Sequence, residues 1–393
     1  MEIRKITQEE RKKYHRISQY AFGNWQDEEI EDDKIKWMNP DECFVIIENG
    51  EMISGLINHN LKQNVRGIVK QLSGIGNVAT YPEYRNKGYI KALFTSTFED
   101  MRLKKQSVSM LQPFKESFYQ KFGYVSTNRE MKLKFHVSGL QHYLGEIPEG
   151  WIVERKTGIT ALEEFLRFFS KETLRWHGMV IYDDIHQGFK EHLAQNTIFI
   201  LVKHNNVIKA ACSYKKQDMQ ITIHDIIWRD LDSRKQIFNY FARHRDQVGD
   251  FEMPIPMGTN FFSWFWDMRS QYEVKMCEGP WMVRIVDIVE AFNDLKISGR
   301  GSIKFSIQDE MCDWNTGRYE LTIKDGYSRM SKCGNSEPVN ATGDIRGITA
   351  LFYGSLPVEE IIDRGWLKTD SEETNERLQK WFPTLLLFNT FLF

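Results

Sequence analysis

The stretch from Val78 to Ile90, VATYPEYRNKGYI, constrains the fold of this chain more than any other. An apolar strand end, a turn containing Pro82 and Gly88, and a helix start follow one another without a break. After Gly88 the apolar residues Ile90, Leu93, Phe94, Phe98 and Met101 fall on one face of an amphipathic helix. A helix N-terminus offers unpaired N–H groups and the positive end of a dipole, and successive N–H groups of a turn form a nest for phosphate oxygens. Gly88 lets the backbone approach a bulky anion, and Arg85 and Lys87 add positive charge. The stretch therefore fits a pyrophosphate. An ordinary tight strand-to-helix turn fits it as well.

The rest of the chain sets the frame. At 393 residues it exceeds one ordinary hydrophobic core, so two or three domains are expected. The formal net charge of -2 gives no reason to expect a nucleic-acid partner. No stretch approaches the roughly 20 apolar residues of a membrane helix, and the N-terminus has no apolar signal core. A cytoplasmic protein without a membrane span is the simplest expectation. Cys43, Cys212, Cys277, Cys312 and Cys333 are widely spaced and contain no C-x-x-C, which argues against a disulfide framework or a zinc site. With no H-E-x-x-H and no Ser-His-Asp set, no metal is expected.

Hydrophobic patterning divides the chain into an α/β plan that occurs twice and a third, α+β segment. In the first copy FVIIE (44–48) and MISGLI (52–57) flank Asn49-Gly50, a hairpin signal, and a strand ends at Gly76–Thr80 before the helix. Another strand, 107–111, stops at Pro113. In the second copy IFILVK (198–203) and VIKAACSYK (207–215) flank Asn205-Asn206, a strand runs through Ile226-Ile227-Trp228, and a helix is expected at 235–246. This copy has no glycine between Lys190 and Val248, so it lacks the Gly-marked turn of the first. After a linker near Ser298–Gly301, alternating residues predict strands around 303–307 and 319–323. Helices are predicted near 346–354 and 371–382, the second capped by Asp370 and Glu373. The apolar end, Leu385–Phe393, reads as a final strand with Leu385, Leu387 and Phe391 on one face.

The turn residues Arg85-Asn86-Lys87-Gly88-Tyr89-Ile90 resemble the pyrophosphate loop of the GNAT acetyltransferases, Gln/Arg-x-x-Gly-x-Gly/Ala, with Ile90 in place of the small last residue. Ser117–Tyr124, SFYQKFGY, resembles a second signature of that family, F-Y-x-K-x-G-F/Y. The layout as a whole resembles the Eis (enhanced intracellular survival) family. It implies a catalytic GNAT domain over 1–146, a degenerate GNAT-like domain over 147–292, and a sterol-carrier-protein-like domain over 293–393. The resemblance implies acetyl-CoA as cosubstrate, primary amines of aminoglycosides, polyamines or protein lysines as acceptors, and a homo-hexamer. It makes the main chain of Val78, Ala79 and Thr80 the contact for the pantetheine arm, and residues 85–90 the contact for the pyrophosphate. Tyr119 becomes the general acid that protonates the leaving thiolate. The C-terminal carboxylate of Phe393 becomes the general base, threaded into the active site, beside a neutral Leu392.

The segment from Trp25 to Glu42 carries Asp27, Glu28, Glu29, Glu31, Asp32, Asp33, Asp41 and Glu42, with Trp25 and Trp37 among them. An acidic mouth lined by Trp25, Asp27 and Trp37 would attract a polyamine. A solvated helix face accounts for the same charges. Tyr119 also reads as a core tyrosine, and His177 and His224 as structural histidines. Direct acetyl transfer to a primary amine is the leading expectation. A protein-lysine acetyltransferase and a non-catalytic acyl-CoA or lipid-binding protein are the alternatives.

Overall fold

The computed structural model describes residues 1–25, 28–182, 185–265, 272–277, 279–334 and 338–391, folded around three sheets. The first sheet runs, in spatial order, Glu2–Lys5, Cys43–Glu48, Glu51–Val65, Ile68–Thr80, Val108–Leu111, Met282–Ile285 and Val125–Ser126, with Val180–Ile181 added beside Glu51–Val65. Asn49 and Gly50 both take positive φ (52° and 82°), which is why Asn-Gly closes the hairpin as the sequence predicts. The helix Tyr89–Leu103 covers one face, burying Leu93, Phe94, Phe98 and Met101.

The second sheet repeats the order: Trp151–Thr157, Ile198–His204, Val207–Gln217 and Gln220–Trp228 antiparallel, then Asp250–Ile255 parallel to the last. Asn205 and Asn206 (φ 48° and 62°) make its hairpin turn. The helix that follows Trp228 spans Leu231–Ala242, starting four residues before the expected 235 because Asp230 caps it. Each sheet then takes a strand from beyond its own repeat. Met282–Ile285 pairs with Val108–Leu111, and Met131–His136 pairs with Asp250–Ile255. This crossing joins the two copies through backbone hydrogen bonds.

The third sheet runs Tyr327–Lys332, Gly317–Lys324, Gly301–Gln308, Ala341–Asp344 and Leu367–Thr369. Helices Ile345–Tyr353, Val358–Asp363 and Glu372–Trp381 pack on it, the short middle one unanticipated by the sequence reading. The cap of the last helix is Ser371, whose hydroxyl accepts from Thr374 N at 3.3 Å, rather than Asp370. Asp370 instead accepts from the Thr374 and Ser371 hydroxyls. One hydrophobic cluster runs through all three units, including Leu72, Phe199 and Tyr353.

The expected final strand does not form among the described residues. From Pro383 to Phe391 the chain has no regular structure and docks by side chains and isolated hydrogen bonds. Leu387, Phe388 and Phe391 are buried, while Leu386 is 48% exposed. The partners of the tail lie mainly in the first two units. Phe388 N donates to His177 O, Val180 N donates to Asn389 Oδ1, and Asn128 makes two bonds to Leu387.

Candidate active site

The strand Ile68–Thr80 pairs with Val108–Leu111 only from Leu72↔Val108 to Ile75↔Leu111, then runs on to Thr80 beside Glu51–Val65 alone. The two parallel strands therefore part beyond Ile75. A bulge lies at this point: Asn77 has φ 50°, its carbonyl accepts from Tyr14 Oη at 2.6 Å, and its Oδ1 accepts from Ser18 Oγ at 3.0 Å. A strand edge that loses its neighbour presents unpaired N–H and C=O groups to an extended ligand. Val78 is half-buried, and Ala79 and Thr80 are buried. Ser54 Oγ binds both of the latter, donating to Ala79 O at 3.0 Å and sharing a 2.7 Å bond with Thr80 Oγ1.

At the strand's end the chain turns through Pro82–Tyr84 into the loop. Asn86 and Gly88 take left-handed backbone (φ 63° and 82°), and Gly88 stands at the N-cap of the helix with no side chain capping it. A Cβ at Gly88 would meet nothing within 4 Å, so positive φ and not crowding calls for glycine. Arg85, Asn86, Lys87 and Gly88 are exposed. Arg85 Nε donates back to Thr80 O at 3.2 Å, and Lys87 lies 5.0 Å over the Tyr84 ring. Tyr89 donates its hydroxyl to Glu48. Ile90 is half-buried and packs against the core cluster that contains Phe94 and Leu111.

The second copy differs at this point in a way that decides what it can bind. Asp230 Oδ1 accepts from Ser233 N at 2.8 Å and Ser233 Oγ accepts from Asp230 N at 3.2 Å, closing a capping box on the helix Leu231–Ala242. Its N-terminus is already occupied by a carboxylate, while that of Tyr89–Leu103 is open to an anion.

Tyr119 ends the short helix Glu116–Tyr119 after the strand Val108–Leu111. Its ring is 4% exposed and ringed by Phe94, Phe114, Phe118 and Tyr124 at centroid distances of 5.2–6.3 Å. Burial pushes its phenol well above the ordinary range, so the hydroxyl stays protonated at neutral pH. Tyr124 is fully buried and shares a 2.7 Å bond with Ser109 Oγ, a packing role.

The acidic segment holds only 3₁₀ turns, Asp32–Lys34 and Pro40–Glu42, among its described residues, so the helix-face reading does not hold. Asp27 lies outside the described residues. Trp25 is half-exposed, stacked under Arg16 and edge-on to Tyr20, which in turn touches Tyr81 at the start of the loop. Trp37 lies 6.5 Å from His59, His59 stacks on Phe189 at 5.5 Å, and Phe189 meets Phe391 edge-on at 5.8 Å. The tail thus ends, as far as it is described, in the same aromatic cluster as Trp37. Leu392 and Phe393 lie outside the described residues.

The sequence reading missed the acids that hold this tail. Glu130 Oε1 accepts from Asn389 N at 3.1 Å and from Trp281 Nε1 at 2.7 Å, and burial lifts its carboxyl to about 7. Half-buried Asp225 accepts from the Thr390 and Ser213 hydroxyls, and desolvation raises it too. Glu42, read from the sequence only as part of the acidic run, pairs inside the fold, its Oε2 3.3 Å from His59 Nδ1. No local pattern marks these residues, because each partner is distant in sequence. His177 is structural, as the sequence reading allows. It accepts from Arg66 N, contacts Tyr353 O at 2.8 Å, and is driven by burial to about 4.

Comparison with known proteins agrees with this geometry. Residues 2–126 match the acetyltransferase (GNAT) domain family, and residues 288–385 match the sterol carrier protein domain family. No curated protein matches the sequence. Among solved structures, a GCN5-related N-acetyltransferase from Anabaena variabilis superposes with a TM-score of 0.86 at 17% identity, covering 100% of both chains. One from Kribbella flavida gives 0.84 at 17%, covering 100% of this chain and 98% of the other. Eis1 from Mycobacterium abscessus gives 0.78 at 15%, covering 100% of both. These likenesses share the fold from end to end. The N-terminal unit is a GNAT acetyltransferase domain, the C-terminal unit is sterol-carrier-like, and the chain is by class an acetyl-CoA-dependent N-acetyltransferase.

Proposed function

We propose that this enzyme transfers the acetyl group of acetyl-CoA directly to a primary amine of a small cationic acceptor, an aminoglycoside or another polyamine. The observation that carries the reading is the pairing of an uncapped helix N-terminus at Gly88 with the strand edge freed beyond Ile75. The pyrophosphate lies on residues 85–90, and the pantetheine arm extends along Val78, Ala79 and Thr80. The amine attacks the thioester carbonyl, the C–S bond breaks, and Tyr119 gives its proton to the departing thiolate. Positioning of the two substrates and main-chain N–H groups near the developing oxyanion supply most of the acceleration. The C-terminal carboxylate of Phe393 takes the proton the amine sheds; support comes from the tail reaching the Trp37–Phe189 cluster. Trp25, Asp27 and Trp37 form the acceptor mouth.

In this reading the chain comprises a catalytic domain over 1–146, a degenerate copy over 147–292 and the sterol-carrier-like domain over 293–393. It belongs to the Eis-like group and assembles as a homo-hexamer. The test is thiol release from acetyl-CoA over a panel of aminoglycosides, polyamines and lysine peptides. Turnover with the small polyamines is expected, and turnover with peptides alone would overturn the acceptor assignment. Tyr119→Phe keeps the ring and removes the acid, so the rate should fall roughly 10²-fold with acetyl-CoA affinity near normal.

A further inference from the structure

The second copy keeps the parted strands and has lost the anion anchor. Its parallel strands pair from Gln220↔Asp250 to Thr222↔Glu252 and then diverge. A cavity of about 250 Å³ opens in the gap, lined on one side by Ile226, Ile227 and Trp228 and on the other by Met253 through Pro256. Pro254 and Pro256 have no N–H to offer a neighbour, which favours strands that stay apart. Trp176, Trp264 and the tail's Phe388 complete the wall, with edge-on pairs Trp228–Trp264 at 5.2 Å and Trp176–Phe388 at 5.3 Å.

We propose that this cavity is a second ligand site, separate from the acetyl-CoA slot, for an aryl carboxylate whose ring enters the gap and whose carboxylate meets Arg175. The volume exceeds the ~150 Å³ that an apolar cavity needs to take up benzene, so one substituted ring fits. The walls supply aromatic edges and aliphatic surface, which suits a flat apolar body. Arg175 stands at the rim, its side chain 46% exposed, placed there by a 2.8 Å bond to Trp228 O. Behind Arg175, Glu172 is shared between Arg175 at 3.6 Å and Arg229 at 2.7 Å, so this ion-pair network carries two guanidinium groups against one carboxylate. An anionic head is favoured there: Arg175 Nε donates to Glu172 O and its Nη2 to Trp228 O, which fixes the guanidinium and leaves Nη1 to meet a carboxylate in a charge-assisted bond. Coenzyme A is excluded as the occupant, because the Asp230 carboxylate holds the helix end where its pyrophosphate would lie. The site also touches the tail, since Phe388 is one of its walls and the next two residues bind Glu130 and Asp225. The assignment does not depend on which amine the enzyme acetylates.

The test titrates 3-phenylpropionate into the full chain by calorimetry and tryptophan fluorescence, with neutral 3-phenylpropionamide alongside. Saturable 1:1 binding near a Kd of about 0.1 mM is expected for a ligand of this size. The amide, and the acid with Arg175→Gln, should each bind roughly 10-fold more weakly. Ile226→Trp and, as a second filling variant, Thr259→Trp should abolish binding while acetyl-CoA still binds, which certifies the fold. No saturable binding overturns the proposal. So does binding that survives both filling variants, binding displaced by acetyl-CoA, or equal affinity for acid and amide.

Discussion

Replacing Glu130 with Gln should stabilise this protein at alkaline pH and leave it little changed in mild acid. Glu130 sits one residue before the strand that crosses into the second sheet, half-buried, with a carboxylate that accepts from Trp281 Nε1 and Asn389 N. Burial dominates its environment and lifts the acid from 4.5 to about 7, against smaller opposing effects of those two bonds and of Lys132. The folded protein therefore binds this proton more tightly than the unfolded chain does. Stability falls as pH rises through the window from about 4.5 to about 7, and the whole penalty is present above it. The difference between those two values corresponds to ~3 kcal/mol. Gln keeps Oε1 as acceptor for both donors and removes the charge, but brings an amide N–H₂ into the same space, at a cost of about 1 kcal/mol. A net gain of about 2 kcal/mol is expected at pH 8, and none at pH 5. Urea unfolding of both proteins at pH 5, 6, 7 and 8 measures it. Asp225 contributes a slope of the same sign in both, so the prediction concerns the difference. Equal pH slopes for the two proteins would falsify the assignment of a proton-holding Glu130.

Three further changes test other parts of the molecule. Gly88→Asp puts a β-carbon on a residue at φ 82° and a negative charge at the open helix end, so acetyl-CoA affinity should fall at least ~10²-fold by calorimetry with the fold intact; normal affinity would remove the loop from the site. Asp309→Asn strips the charge from a pair with no exposed side-chain surface, in which Arg284 is held at 2.7 Å to both Asp309 oxygens while it donates to Phe122 O behind the Tyr119 helix. Urea unfolding should show a loss of about 3 kcal/mol, and a loss below ~1 would mean that the pair is not closed. Deleting Phe393 should cut amine acetylation roughly 10²-fold in the thiol-release assay with acetyl-CoA binding retained, and full activity would return the tail to a purely packing role.

The sequence by itself determined the local elements whose causes lie within a few residues. Asn49-Gly50 and Asn205-Asn206 close hairpins because Asn and Gly tolerate positive φ. The helix after Gly88 buries the face that its 3.6-residue spacing announces, and the loop and the Tyr119 segment were legible because each motif is contiguous. Where a cap could move by one residue, as from Asp370 to Ser371, local pattern did not choose, since both residues are good caps and the neighbouring hydroxyls arbitrate. Only the tertiary structure decided what depends on distant partners. It set the exchange of Met131–His136 and Met282–Ile285 between the sheets, and the docking of the tail on Glu130 and Asp225 instead of a final strand. It also fixed the charge state of those acids. An apolar run such as Leu385–Phe391 states only that surface must be buried. Which surface receives it depends on the donors and acceptors that more than a hundred residues of intervening chain bring within 3 Å or so of it.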